Sequence, residues 1–180
     1  MLHRLRVKGY AEAPEGTDQE VRALAAEGLI IRRDGRVVGW RLTPAGLEEH
    51  GRLVAGELAT TGARGHVTDA HRRFQALNLE FLGLCTAAQV DGDDVRARLD
   101  RVHEQVVPVV DDLAAVLARF GPYRERFEAA VRHVRDGDND FLTRPLVDSY
   151  HTIWSELHED LLATLGIARG SETEWLASAK

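Results

Sequence analysis

The stretch LIIRRDGRVVGWRL, residues 29–42, constrains the fold more than any other part of the chain. Its two β-rich runs flank Asp34-Gly35, a dipeptide that tolerates the positive φ of a tight hairpin turn. The sequence on either side is patterned for helix. Leu2, Leu5 and Val7 mark a short helix that Gly9 ends. Thr17 stands three residues before Glu20, the capping-box spacing, and Val21, Leu24 and Ala25 carry that helix to a stop at Gly28. Thr43 and Pro44 are an N-cap and first-turn pair that starts a further helix, to about residue 60. The outline is helix, helix, hairpin, helix. Only seven residues separate Gly9 from Thr17, too few for another helix between them.

From about residue 66 the chain reads as helix throughout, with segments predicted near 66–90, 93–119, 122–136 and 145–165. Asp91 to Asp94, Gly121-Pro122, the run DGDND and Pro145 punctuate them. Pro108 falls inside the second, which predicts a kink or break near Val107. The expected fold class is therefore mostly α, with an N-terminal domain of helices and a hairpin over 1–60 and an all-α helical bundle over 61–180.

Composition narrows the setting. Hydrophobic residues at 44% and charged residues at 29% describe a globular chain, not a disordered one. No apolar run approaches the ~20 residues a membrane span needs, and the start MLHRLRVKGY has no secretory apolar stretch. A single cysteine, Cys85, rules out an internal disulfide framework. Together these point to a cytoplasmic protein with no membrane partner. Residues 1–52 hold 9 basic and 8 acidic side chains, whereas the remainder holds 14 against 21. Only the N-terminal part could approach a phosphate backbone without repulsion.

Two histidines in SYHTIWSELHEDLL, residues 149–162, raise the question of a binding site. At ~100° per residue, His151 and His158 fall within the apolar arc that holds Tyr150, Ile153, Trp154, Leu157 and Leu161. On the helix predicted at 66–90, Asn78 and Gln89 project from the apolar arc beside Cys85. Buried amides and imidazoles need partners, since an unmet polar group costs on the order of 1–3 kcal/mol. Two readings follow. The groups pair with one another inside the core, or Asn78, Cys85, Gln89, Tyr150, His151, Trp154 and His158 line a pocket for a polar small molecule. A metal is disfavoured because His151 and His158 stand two turns apart, about 10 Å along the axis. DGDND alternates carboxylates but has Phe141 where a calcium loop needs glycine. No residue is assigned a catalytic role and no cofactor is expected.

The run from VRALAAEGLI through GWRLTPAGLEEH resembles the recognition helix, wing and following helix of winged-helix (MarR-like) transcriptional regulators. The C-terminal part resembles a helical segment of actinobacterial proteins, on Phe74/Leu77/Asn78, Cys85/Thr86/Gln89, Leu99/Val102/His103, Pro122/Tyr123/Arg126, Gly137/Asp138 and residues 149–166. That segment is also found in pyruvate, phosphate dikinase-like proteins. Ala88 stands where the pattern has tryptophan, and the loop after Val90 is short. The resemblance implies a truncated winged-helix domain followed by a helical effector domain. It implies a small-molecule-responsive transcriptional regulator acting as a homodimer on double-stranded DNA. Its phosphate contacts would come from Arg32, Arg33, Arg36 and Arg41 on the hairpin and from Arg22 on the preceding helix, with Leu53, Val54 and Leu58 as an exposed dimer face. Asp18 and Glu20 in that helix's first turn oppose DNA contact. The missing helix supports an alternative, a relic winged helix used for dimerisation or partner docking.

Overall fold

The computed structural model describes residues 1–34, 38–90, 95–145 and 147–171, except for the side chains of Gln89 and Val90. Arg36, Gly35 of the turn, Asp91 to Asp94 and the Gln89 side chain therefore lie outside the described part. The elements are α1 (Leu2–Lys8), α2 (Asp18–Ala26), β1 (Ile30–Arg33), β2 (Gly39–Leu42), α3 (Pro44–Thr61), α4 (Arg64–Val90), α5 (Val95–Val116), α6 (Gly121–Arg135) and α7 (Tyr150–Leu165). Short 3₁₀ turns occupy Ala118–Phe120 and Asn139–Leu142. The protein is mostly helical, with one two-stranded antiparallel sheet. Among the described residues no helix is long and apolar enough to cross a membrane.

The chain divides into two compact units, residues 1–61 with 159 onward, and residues 62–158. Within the first unit Arg6 and Arg169 both pair with Glu159, and His3 meets Asp160.

In the N-terminal unit Leu2, Leu5, Ala11, Val21 and Ile30 form a small core, with Leu24, Trp40 and Leu42 packed against it. β1 and β2 pair in the register Ile31 to Arg41 and Arg32 to Trp40. Ala11 adds a single rung on the other edge of β2, exchanging both backbone hydrogen bonds with Trp40. The segment between Gly9 and Thr17 contains no helix, as its length predicts. Gly9 closes α1 with φ 70°. The capping box is not formed: the Thr17 hydroxyl donates to the Pro14 carbonyl at 2.6 Å instead. Thr43 does cap α3, accepting from the Gly46 amide at 3.1 Å while donating to the Gly28 carbonyl at 2.6 Å. On α3, Leu53 is 47% exposed, but Val54 and Leu58 are buried. They belong to the interior and cannot form the dimer face expected of them.

The second unit packs α5 against α4 and α6. α5 runs through Pro108 without the expected break. Pro108 and Glu104 both lie on the exposed face, so the carbonyl that proline leaves unpaired is reached by water. α7 starts at Tyr150, not at 145, because the buried Ser149 hydroxyl caps it by accepting from the Thr152 amide at 3.3 Å.

Candidate functional site

The first candidate is the hairpin. Residues opposite one another in an antiparallel pair share a face, so Ile31, Arg33 and Arg41 point one way and Arg32 and Trp40 the other. Arg32, Arg33 and Arg41 are all exposed, as is Arg22 on α2. Arg32 pairs with Asp34 at 3.0 Å, an exposed contact of little energy. Arg22 donates to the Asp18 carbonyl. Arg33 and Arg41 form no ion pair with a described residue; Ile31 is exposed on their face, and Val38 is exposed beside Arg32 and Trp40. A hollow of about 200 Å³ on this hairpin is bordered by Glu12, Arg32, Val38 and Trp40.

The second candidate is the set of polar groups on α4 and α7. Trp154 and Tyr150 are buried at 2% and 0% exposure, packed with Phe74, Phe81 and Phe127 in one aromatic cluster. The Trp154 indole N–H donates to Asn78 Oδ1 at 2.8 Å. The Tyr150 hydroxyl meets His103 Nδ1 at 3.2 Å, and His103 Nε2 lies 3.5 Å from Glu128. Burial lowers the His103 pKa against the pull of Glu128. Burial also holds Tyr150 well above the usual phenol range. His158 Nε2 lies 3.2 Å from the Gln75 amide nitrogen, which also reaches His71 Nε2 at 3.3 Å. A primary amide with two N–H groups can donate to both rings at once. His151 is half-buried and stacks on Phe81 at 6.1 Å.

Six of the seven predicted pocket residues can therefore be placed. Asn78, Tyr150, Trp154 and His158 have side-chain partners within this unit. Cys85 is buried in the same region, with its thiol pushed up to about 11 by burial. At pH 7 such a thiol is almost entirely protonated, so reaction with a thiol reagent is expected to be slow and to accelerate about tenfold per pH unit up to that value. Rapid labelling at neutral pH in the folded protein would show that the sulfur is accessible and activated.

The sequence gives no role to His71 or Gln75, and His103 enters only as part of a motif. His71 and Gln75 are four apart on one helix, the spacing of facing side chains, so that contact had a local signal. The Tyr150–His103 contact had none. Arg126 was noted only as part of a motif. It donates to both oxygens of Asp148 at 2.9 and 3.0 Å and meets Glu156 at 2.8 Å. Burial works against its charge, but these carboxylates outweigh burial and raise its pKa. Glu156 is accordingly only 9% exposed. Asn78, His103 and Arg126 each come from a different sequence motif, and each ends on α7.

A cleft of about 340 Å³ in the second unit is bordered by His66, Asp69, Arg73 and Asp112, with Arg73 and Asp112 joined at 2.5 Å. None of the predicted pocket residues lines it. Among the described residues no three His, Cys, Asp or Glu side chains are grouped to hold a metal ion. No protein family, curated protein or solved structure matches the chain.

Proposed function

We propose that the chain is a transcriptional regulator of the winged-helix (MarR-like) type, contacting double-stranded DNA through its hairpin. The observation that carries this reading is the pair Arg33 and Arg41, on one exposed face of a β-ribbon with no carboxylate among the described residues to neutralise them. Guanidinium groups so placed suit phosphate oxygens, which fix register on a duplex without reading its sequence. Arg32 lies on the opposite face of the ribbon and Arg22 is exposed on α2, and the net positive charge of residues 1–52 favours approach. The second unit serves as the effector part, responding to a polar small molecule. His151, half-buried beside Phe81, is the predicted pocket residue best able to meet one.

A second reading has an observation of its own. No helix stands between Gly9 and Thr17 to support α2, and the hairpin exposes Ile31 and Val38 at 47% and 46%. A ribbon of this kind also suits docking to a second copy or to another protein.

Fluorescence anisotropy on a labelled duplex separates them. Under the first reading the protein binds DNA, and Arg33→Ala with Arg41→Ala weakens binding on every sequence and lowers the slope of log K against log salt by about two, one per lost phosphate contact. A protein that fails to bind at low salt, or a double variant with an unchanged slope, would remove the hairpin from DNA contact.

A further inference from the structure

The N-terminal unit holds a cluster of titratable groups that plays no part in the DNA reading. His3 Nδ1 lies 3.0 Å from His50 Nε2, and His3 Nε2 lies 3.1 Å from Asp160 Oδ2. The three residues come from α1, α3 and the end of α7, so they join elements distant in sequence. Asp160 is 2% exposed and His50 4% exposed, while His3 is reached by solvent at 31% of its side chain. Thr164 donates to the Asp160 carbonyl at 2.6 Å, one turn along α7. Next to Asp160 along α7, Glu159 pairs with Arg6 of α1 and with Arg169.

We propose that His3, His50 and Asp160 form a proton-operated clasp, which fastens the chain returning at Glu159 to α1 and α3 and opens when both imidazoles are charged. The count of protons dictates this. With Asp160 ionised, His3 donates from Nε2, and its Nδ1 accepts the proton on His50 Nε2. One added proton is tolerated: whichever ring takes it, the other still presents a lone pair across the 3.0 Å gap. A second proton leaves two N–H groups facing each other with no acceptor between them and two cations in contact. The closed clasp thus takes up one added proton on its two rings, whereas the open one takes up two below about pH 6.5, where a free imidazole is charged.

The difference of one proton sets a slope. Opening should rise about tenfold for each unit of pH lost between about pH 6.5 and 5. Glu159 contributes nothing in that window. Burial pushes its pKa up, but hydrogen bonds from Arg169 and Arg6 hold it below the usual range.

Native-state hydrogen exchange of the amides from Asp160 to Leu165, corrected for intrinsic rate, reads the opening directly. The wild type should show the tenfold slope. In His50→Gln the slope should vanish, because an amide can turn either its donor or its acceptor to His3, and open and closed states then hold equal protons. A flat wild-type profile, or the same slope in the variant, would overturn the clasp. Should the variant not fold, ring Cε1–H signals of the wild type still decide. His3 and His50 should titrate as a coupled pair, and two independent steps with exchange protection retained would sink the idea. No DNA is present in either measurement, so the result stands apart from the regulator reading.

Discussion

Trp154→Ala is expected to cost the helical unit about 4 kcal/mol, the range seen when a large buried aromatic is truncated. Trp154 sits 4.3 Å from the Phe81 ring and 4.6 Å from Phe74, centroid to centroid, and its indole N–H satisfies Asn78. Truncation removes these contacts and leaves the half-buried Asn78 amide oxygen without its indole donor. Urea denaturation followed by circular dichroism would measure the loss. Asn78→Ala should cost less, about 1 kcal/mol, and the two losses should not add, because both remove the same hydrogen bond. A Trp154→Ala protein within about 1 kcal/mol of wild type would mean the site is an open pocket whose wall can be removed without collapse. The outcome therefore bears on function as well as stability. It separates the two roles that the sequence left open for the polar groups on α4 and α7.

Gly46→Ala is expected to destabilise the N-terminal unit by about 3 kcal/mol, although helix propensity alone predicts a gain of about 1 kcal/mol. A Cβ at Gly46 would lie 2.0 Å from the Leu29 carbonyl oxygen, a backbone atom that cannot swing aside. The same carbonyl accepts the Thr43 amide at 3.0 Å, so moving it also loosens the start of α3. Gly51, further along α3, supplies the control. Nothing lies within 4 Å of a Cβ there, and Gly51→Ala should stabilise by up to about 1 kcal/mol. Opposite signs at two glycines of one helix, read as shifts in thermal midpoint, would establish that close approach to the Leu29 backbone fixes Gly46. Equal and favourable shifts would contradict the packing of α3 against that strand entry.

Much of the fold was legible because it rests on local chemistry. Thr43-Pro44 begins α3, Gly9 ends α1, and the β-rich runs around Asp34 pair as a hairpin. Errors arose where one local signal competed with another, or where helical spacing left the cover of a face open. Thr17 had the spacing to cap with Glu20, but its hydroxyl found the Pro14 carbonyl. The sequence pattern places the start of the last helix near 145, but Ser149 is the residue placed to accept an amide. Val54 and Leu58 appeared available for a partner because helical spacing gives a face, not the identity of what covers it.

The sequence by itself determined the helical class, the hairpin, the inward direction of His151 and His158, and the exposed arginines of the ribbon. Each follows from periodicity or from a turn residue, properties carried within a few neighbouring positions. Only the tertiary structure decided which groups meet. Asn78 and Trp154 are separated by 76 positions, His103 and Tyr150 by 47, and His3 reaches both His50 and Asp160. Hydrogen bonding acts over about 3 Å of space, and no pattern along the chain encodes which distant side chains will come that close.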